Sequence, residues 1–177
     1  MRVISGVARG RKLVAPAGST TRPTSDRVRE ATFNALGSLG AVVDATVLDL
    51  FAGSGALGIE ALSRGAAHAT FVDQDKEAIR AIEENLAACG LAQQATVVSS
   101  SIDRYLSQSR AARFDLALVD PPYDWGHDAW LELLDRLPAD LAVVESGRPV
   151  EPPFGWEVLR SKRYGSTHVV IAERRPV

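Results

Sequence analysis

Short apolar runs alternate along the chain with segments whose apolar residues recur at helical spacing. The runs lie at residues 47–51, 69–73, 95–99, 114–119 and 141–145. Runs of this length and composition are typical of strands buried on both faces of a parallel sheet. Between two of them, Ala78, Ile82 and Leu86 have helical spacing, and Gly90 then ends the predicted helix. The alternation predicts an α/β fold with a doubly wound, mostly parallel sheet.

Four further segments are predicted to be helical from the same spacing. They are Val28 to Leu39, the segment that ends near Arg64–Gly65, Ile102 to Leu106, and Trp130 to Leu137. Thr24, Ser25 or Asp26 is available as the cap of the first of these helices. Trp130 shares helical spacing with Leu133, Leu134 and Leu137, so we expect it to be a core residue, whereas Trp125 is a candidate wall of a ligand pocket.

The two ends of the chain depart from this alternation. Near the amino terminus, Gly6 and Gly10 permit a short hairpin turn among basic residues. Near the carboxyl terminus, residues 156–163 and 167–174 carry alternating apolar residues around the turn Tyr164–Gly165–Ser166. That pattern predicts a closing antiparallel hairpin.

Length and composition are consistent with one domain. The chain has 177 residues, of which 46% are hydrophobic, enough for a single core at this size. No apolar run approaches the roughly 20 residues that cross a bilayer, so we expect a cytoplasmic protein without a targeting peptide. No long apolar heptad indicates more than a monomer. Cys89 is the only cysteine, which excludes an intramolecular disulfide and a cysteine metal cluster. We expect it to be a small, partly buried residue at a helix end.

The net charge of −2 hides an uneven distribution. Residues 1–30 contain seven basic and two acidic side chains, a balance of +5, and the rest of the chain carries −7. This asymmetry predicts a basic arm over residues 1–23, able to hold phosphates, on a main domain over residues 24–177. Each cation alone is more simply a solvated surface charge, but the cluster predicts contact with nucleic acid. The candidate residues for that contact are Arg9, Arg11, Lys12, Arg22 and Arg27.

The most informative tetrapeptide follows the apolar run at residues 114–119. It is Asp120-Pro121-Pro122-Tyr123, at the carboxyl end of a predicted strand, where open α/β sheets bind their ligands. The prolines fix φ near about −65° and lack N–H groups, so the turn is stiff and leaves carbonyl groups free to accept. Asp120 and the Pro121 carbonyl suit the two hydrogens of an exocyclic amine, and Tyr123 suits stacking on its base. The simpler interpretation is a turn that only ends the strand.

A glycine-rich turn follows the first predicted strand. Gly53, Gly55 and Gly58 have the spacing G-x-G-x-x-G, and Asp73 lies 20 residues after Gly53, where a carboxylate can bind ribose hydroxyls. This pattern alone would also describe a dinucleotide site. Asp49, just before the turn, would repel a pyrophosphate but could pair with an ammonium group. The turn therefore favours an adenosine that carries a cationic amino-acid tail.

These residues resemble the class I S-adenosylmethionine-dependent methyltransferases. Residues 48–55 are similar to the first cofactor motif of that class, and residues 120–123 to its amino-methylating fourth motif. The closer resemblance is to the bacterial enzymes that methylate the exocyclic N2 of a guanine in small-subunit (16S) ribosomal RNA. It covers nearly the whole chain and includes the blocks at residues 2–6, 9–13 and 22–30.

The resemblance implies a Rossmann-like methyltransferase fold, S-adenosylmethionine as cofactor, and ribosomal RNA as partner, within the small subunit or its assembly intermediate. Asp120, Pro121 and Tyr123 would be the catalytic residues. The residues that would hold the cofactor are Asp49, Phe51, Gly53, Ser54, Gly55, Asp73, Gln74, Ser101, Ile102 and Asp120. Ser101 departs from the Asp or Asn of many relatives, and Asp75 is expected to be a helix cap rather than a ligand.

Rival interpretations remain open at this point. One is an amino-methyltransferase that acts on adenine or on protein glutamine, and another is a non-catalytic RNA-binding protein with a methyltransferase fold. An NAD enzyme is a weaker third. His68, His127 and His168 are dispersed, so we predict no metal site; His68 and His168 are expected to be structural or surface residues, and His127 is a minor candidate for substrate contact.

Overall fold

The computed structural model describes residues 1–17, 26–108, 113–122 and 125–175. Its helices are α1 (Asp26–Ser38), α2 (Ala56–Ser63), α3 (Lys76–Cys89), α4 (Ile102–Gln108) and α5 (His127–Arg136). Its strands are β1 (Thr46–Leu50), β2 (His68–Asp73), β3 (Ala95–Ser99), β4 (Phe114–Val119), β5 (Ala139–Ser146), β6 (Trp156–Tyr164) and β7 (Thr167–Arg174).

The strands form one mixed sheet in the order β3-β2-β1-β4-β5-β7-β6. Strands β3, β2, β1, β4 and β5 are parallel, whereas β7 is antiparallel to β5 and β6 is antiparallel to β7. The doubly wound, Rossmann-like sheet with a closing antiparallel hairpin is therefore confirmed. Because the chain reverses its direction of winding between β1 and β4, their carboxyl ends flank the crevice where such folds bind ligands.

The predicted starts of strand β5 and helix α5 were too late. Strand β5 begins at Ala139 rather than at 141, because Ala139 pairs with Phe114 on β4 and the exposed Asp140 simply points outward. Helix α5 begins at His127 rather than at Trp130, since its first turn is polar and carries no apolar period to detect. Trp130 is 4% exposed, as expected of a core residue.

Apolar residues fill both faces of the sheet. One cluster lies under α1, α2 and α3 and includes Phe33, Ile59, Phe71 and Ile82. The other cluster lies under α4 and α5 and includes Leu48, Trp130 and Leu134. The carboxyl-terminal hairpin is attached to α5 by Arg174, whose guanidinium lies 4.5 Å from the Trp156 ring centroid and donates to the Leu137 carbonyl at 2.7 Å. No helix in the described part of the chain is long and apolar enough to cross a membrane.

The first thirteen residues form the predicted hairpin, and it packs on α2. Arg2 pairs with Lys12 in an antiparallel bridge, and Gly6 and Gly10 take the positive φ values, 84° and 83°, that the turns require. Val3, Ala8 and Leu13 are buried in the core. The basic hairpin is therefore part of the packed domain in this structure.

Candidate active site

The glycine-rich turn and the Asp120 corner lie side by side at one edge of the sheet. Leu50, the last residue of β1, is in register with Val119, the last residue of β4. Directly beyond these strand ends, the rings of Phe51 and Trp125 meet edge to face, with centroids 5.0 Å apart. The two half-sites that the sequence suggested are therefore neighbours on the same rim.

The outer surface of the glycine-rich turn is open. Gly53 has φ +56°, and a Cβ built there would meet only the Phe51 carbonyl, at 3.9 Å. Gly55 has φ +75°, and a Cβ there would face Ile82, 3.2 Å away in the core. Phe51 also has a positive φ, 60°, which is uncommon for a residue with a side chain. A ligand can therefore lie against the backbone at Gly53, while Gly55 serves the packing beneath.

Gly58 and Asp49 fasten the first turn of α2 to the sheet. A Cβ on Gly58 would lie 2.3 Å from Cε1 of Phe71, so only glycine fits there without a shift. The N–H of Gly58 donates to Oδ2 of Asp49 at 2.9 Å. Asp49 is 1% exposed, and its burial raises the pKa of the carboxyl well above its usual range, with the charges of Asp120 and Asp73 adding to the effect. Pairing of Asp49 with a ligand ammonium stays a prediction.

Asp73 stands at the end of β2, beside the glycine-rich turn. Its Oδ2 accepts the Gly53 N–H at 2.9 Å and its Oδ1 accepts the Asp75 N–H at 3.0 Å. The side chain is half-buried, and each carboxylate oxygen keeps a lone pair for a further donor. Gln74 is exposed next to it. Asp75 caps α3 by accepting the Glu77 N–H at 3.0 Å, which confirms the predicted cap.

Ser101 and Ile102 open α4 at the same edge. Ser101 is half-buried, and its hydroxyl accepts the N–H of Arg104 at a long 3.4 Å, so the hydroxyl is weakly held. Ile102 is 8% exposed and packs in the cluster under α4 and α5. Both residues lie beyond the end of β3, on the far side of Asp73 from the glycine-rich turn.

The Asp120 corner is stiff and lined by aromatic rings. Pro121 is buried, Pro122 is exposed, and the Pro122 carbonyl accepts the Trp125 N–H at 3.2 Å. Within the described ranges no hydrogen bond is recorded for the Pro121 carbonyl, so it is available to a ligand. Trp125 lies between Phe51 and Trp130, and the ring centroids of Trp125 and Trp130 are 5.7 Å apart. Tyr123 lies outside the described residues, as does the side chain of His127.

The structure separates the residues predicted to bind nucleic acid. Arg9, Arg11 and Lys12 are exposed on the amino-terminal hairpin. The tip of that hairpin is held at the end of α2, where the Val7 N–H donates to the Ser63 carbonyl at 2.8 Å. This end of α2 adjoins the amino end of β1, opposite the glycine-rich turn. Arg27 is instead exposed at the start of α1, and Arg22 lies outside the described residues.

Sequence reasoning missed the buried polar residues Asn85 and Glu60, and with them Arg29. Asn85, 1% exposed on α3, accepts the Val14 N–H at 2.8 Å and donates to the carbonyls of Val14 and Ser54 at 2.9 and 2.8 Å. Glu60, 0% exposed on α2, accepts the N–H groups of Ile4 and Ser5 at 2.8 and 3.1 Å. Asn85 could have been found from its position on the apolar stripe of α3, where a polar residue needs buried partners.

Glu60 also meets two cations. Arg64 donates to its Oε1 at 2.7 Å, and Nε of the fully buried Arg29 lies 3.7 Å from Oε2. Arg29 in turn donates to the Arg2 carbonyl and pairs with Asp26 at 3.0 Å. These contacts hold the amino-terminal hairpin against α1 and α2.

His68 and Cys89 lie away from the rim. His68 lies 2.9 Å from the Thr96 hydroxyl, and Cys89 is a free, partly buried thiol at the end of α3. Among the described residues no group of three His, Cys, Asp or Glu side chains is arranged to hold a metal ion.

The sheet order, the open glycine-rich turn and the acidic residues at successive strand ends define a Rossmann-like methyltransferase of the class that uses S-adenosylmethionine. The Bacillus subtilis protein YlbH, named provisionally as an rRNA methyltransferase, is 43% identical over 99% of this chain and 100% of its own. The Escherichia coli "Ribosomal RNA small subunit methyltransferase D" is 39% identical over 98% of this chain and 90% of its own. The E. coli structure of yhhF, described provisionally as a methyltransferase, is 40% identical, has a TM-score of 0.84, and is matched over 98% of this chain and 97% of its own.

The family described as "Conserved hypothetical protein 95" matches residues 1–173, and this chain belongs to it. The family resemblance inferred from the motifs is thereby confirmed. The roles of individual site residues, and the atom that receives the methyl group, stay predictions.

Proposed function

We propose that this protein transfers a methyl group from S-adenosylmethionine to the exocyclic N2 amine of a guanine in small-subunit ribosomal RNA. The observation that carries the proposal is the shared rim, on which the open glycine-rich turn and the Asp120-Pro121-Pro122 corner are neighbours. The names of the two curated relatives support ribosomal RNA as the acceptor. The choice of guanine N2 as the acceptor atom rests on the amino-methylating motif and on the resemblance of the amino-terminal block to the family.

The chain's own residues fit the cofactor. The face of Gly53 is open to a ligand, the half-buried Asp73 carboxylate can accept ribose hydroxyls, and buried Ile102 offers an apolar surface for a purine ring. When bound, S-adenosylmethionine supplies an electrophilic methyl group on a positively charged sulfur. Phe51, Ser54, Gly55 and Gln74 would complete this half of the site together with Asp49 and Ser101.

Asp120 and the Pro121 carbonyl act on the acceptor amine. The lone pair of guanine N2 is delocalised into the ring, so the amine is a poor nucleophile and must be oriented. By accepting its two hydrogens, Asp120 and the Pro121 carbonyl turn the lone pair toward the methyl group. Such placement can lower the barrier by on the order of 7–11 kcal/mol. Asp120 can also take the proton released, and Tyr123 is proposed to stack on the extruded base, worth roughly 1–3 kcal/mol.

A labelling experiment tests the proposal. The protein is incubated with methyl-labelled S-adenosylmethionine and small ribosomal subunits from cells that lack it, and the labelled nucleoside is identified by mass spectrometry. We expect label on a single guanine, as N2-methylguanosine. Label on adenine or on protein glutamine would contradict the acceptor, and cofactor binding without transfer to any acceptor would favour a non-catalytic RNA-binding role.

The same preparation addresses the partner. We propose ribosomal RNA within the small subunit or an assembly intermediate, a cytoplasmic site of action and a monomeric enzyme. Parallel reactions with free ribosomal RNA, assembly intermediates and mature subunits show which of them accepts the methyl group. Light scattering measures the mass of the protein in solution and so tests whether it is a monomer.

A further inference from the structure

A groove of about 390 Å³ lies between the start of α1 and the turn that joins β6 to β7. Its described lining consists of Arg27 and Val28 from α1 and of Lys162, Arg163, Tyr164 and Gly165 from the hairpin. Three of these six residues are cations and none is acidic. Residues far apart in the sequence therefore converge to form a positively charged groove.

The three cations of the groove are exposed to solvent. Arg27, Lys162 and Arg163 are all exposed, and among the described residues none of them has an ion-pair partner. Some exposed arginines elsewhere are ion-paired, as Arg80 is with Glu77 and Arg113 with Asp140. The groove thus concentrates unpaired positive charge on a chain whose net charge is −2.

Two contacts hold the hairpin side chains in place. The Lys162 ammonium lies 5.2 Å from the centroid of the Tyr164 ring, within the range of a cation–π interaction. Nε of Arg163 donates to the Gly165 carbonyl at 2.7 Å. A phosphate would therefore meet partly ordered donors, which lose less conformational freedom on binding than free side chains.

The register of the sheet places this groove on the catalytic rim. Val119, the residue before Asp120, pairs with Val144 on β5, and the next residue, Glu145, pairs with Val169 on β7. Val169 pairs in turn with Lys162 on β6. Lys162 is thus level with Asp120, three strand spacings away, or roughly 14 Å across the sheet.

Arg148 lies between the two sites. It is exposed in the segment after β5 and lines a shallow depression together with Pro121, Pro122 and Trp125. Ser146, at the end of β5, pairs with His168, which pairs with Arg163. A further exposed cation therefore lies on the rim between the Asp120 corner and the groove.

We infer that this groove binds the backbone phosphates of the nucleotides that flank the target base. The inference rests on the proposed function, because it assigns the groove to the RNA that presents the guanine. An RNA strand that leaves the Asp120 corner would cross about three strand spacings of the sheet to reach the cations. Arg27, Lys162 and Arg163 supply the charge, and Tyr164 positions Lys162.

A simpler role exists for Lys162 and Arg163. Strand β6 is an edge strand, and charged side chains on edge strands prevent pairing with other chains. That role does not require Arg27, which belongs to α1 rather than to the sheet. It also predicts no effect on RNA affinity, which makes the two roles separable.

The test compares two double variants that each remove two exposed cations. Lys162→Gln with Arg163→Gln alters the groove, whereas Arg80→Gln with Arg113→Gln alters α3 and the opposite edge of the sheet. Affinity for an unmodified small-subunit ribosomal RNA transcript is measured from 0.05 to 0.3 M salt, values chosen as roughly the range in which phosphate contacts are salt-sensitive. Thermal unfolding verifies that every variant is folded.

Each lost phosphate contact with a single strand flattens the slope of log K against log salt by about 0.7, which is about fivefold in affinity at 0.1 M salt. We therefore expect the groove variant to bind roughly 25-fold more weakly at 0.1 M salt, with a slope shallower by about 1.4. The single change Arg27→Gln should weaken binding about fivefold, and the control variant should behave as wild type. Binding of S-adenosylmethionine should be the same in all variants.

Equal affinities and slopes in the groove and control variants would overturn the inference. So would a groove variant that aggregates but binds the RNA normally, since that result is the one expected of edge protection alone. If the wild-type protein acts only on assembled particles, the same affinities and slopes are compared on small ribosomal subunits. A wild-type protein that methylates neither the transcript nor these particles would contradict the proposed function itself, and the groove assignment with it.

Discussion

Asp120 and Asp49 are both carboxylates near a strand end, yet their surroundings give them opposite tasks. Asp120 is half-exposed on the rim, where it can meet an incoming amine. Asp49 is buried beneath the glycine-rich turn and holds the N–H of Gly58. Asp120 is therefore suited to contact the acceptor, whereas Asp49 shapes the turn. The charge of Asp120 contributes to raising the pKa of Asp49.

For Asp120 we expect that a substitution greatly slows methyl transfer without weakening cofactor binding. Asp120→Ala removes the acceptor that we propose orients the amine, and should lower the rate of methyl transfer by roughly 10²–10⁴-fold. The dissociation constant for S-adenosylmethionine, measured by calorimetry, should change little. Equal losses of transfer and of cofactor affinity would contradict the assigned role.

Asp115, at the other end of β4, offers a matched control. Its carboxylate accepts the Thr46 N–H at 2.7 Å and the Thr46 hydroxyl at 2.8 Å, which lowers the pKa of Asp115. Asp115→Ala should cost roughly 0.5–1.5 kcal/mol of stability and leave methyl transfer unchanged.

For Asp49 the expected effect depends on pH. Because burial raises the pKa of its carboxyl in the folded state, the stability it contributes is present below the ordinary carboxyl pKa and is lost as the pH rises through the folded value. Asp49→Asn keeps an acceptor for Gly58 but cannot ionise. The variant should therefore melt a few degrees above the wild type at pH 7, since about 1 kcal/mol is worth roughly 2–4 °C at this size.

The difference in melting temperature between the two proteins should shrink as the pH falls toward about 4. A constant difference at every pH would show that the carboxyl does not titrate as inferred. If Asp49 also pairs with the ammonium of the cofactor, the same variant should bind S-adenosylmethionine more weakly, so stability and affinity would move in opposite directions.

At the scale of elements, the packing of α2 against β2 depends on Gly58. A methyl group there would meet the Phe71 ring at 2.3 Å, so Gly58→Ala should cost about 1–3 kcal/mol through overpacking. Gly37→Ala is the control, because a Cβ at Gly37 on α1 meets nothing within 4 Å. That change should stabilise the protein by up to about 1 kcal/mol. Denaturant unfolding of both variants measures the contrast, and equal effects would contradict it.

Asn85 connects three elements: α3, the glycine-rich turn and the segment after the amino-terminal hairpin. Asn85→Ala leaves the Ser54 carbonyl buried without this donor and frees Val14. We expect a loss of roughly 2–4 kcal/mol in stability and weaker binding of S-adenosylmethionine, because the turn loses its support. Asn34→Ala, at an exposed position on α1, should alter neither. Unchanged cofactor affinity in a destabilised Asn85 variant would restrict Asn85 to a purely structural role.

For the whole molecule, the periodicity of the sequence was sufficient to predict the sheet, because buried parallel strands are apolar and the helices between them are amphipathic. The site motifs were visible because glycines and prolines constrain the backbone locally. Contacts between distant residues were not visible. Glu60 and Arg29 carry no local signature of burial, and the groove cations are 135 residues apart in sequence, from Arg27 to Lys162, and meet only in the folded chain.

The amino-terminal hairpin illustrates the same limit. Its charge suggested a separate arm over residues 1–23, and that division stays a prediction. Deleting residues 1–13 should nevertheless destabilise the entire domain by several kcal/mol, because it exposes the core around Val3, Ala8 and Leu13 and leaves Glu60 without two of its donors. A truncated protein with an unchanged melting temperature would contradict this expectation.

The cations on the rim also bear on the rate at which the protein encounters its partner. The chain as a whole has a net charge of −2, so a polyanion is attracted locally where cations cluster, as they do in the groove on the rim. At physiological ionic strength this orienting field extends over about 8 Å. If the groove binds RNA as inferred, collisions are biased toward those in which the proposed methyl-transfer edge faces the nucleic acid, and added salt should slow association more than it hastens dissociation.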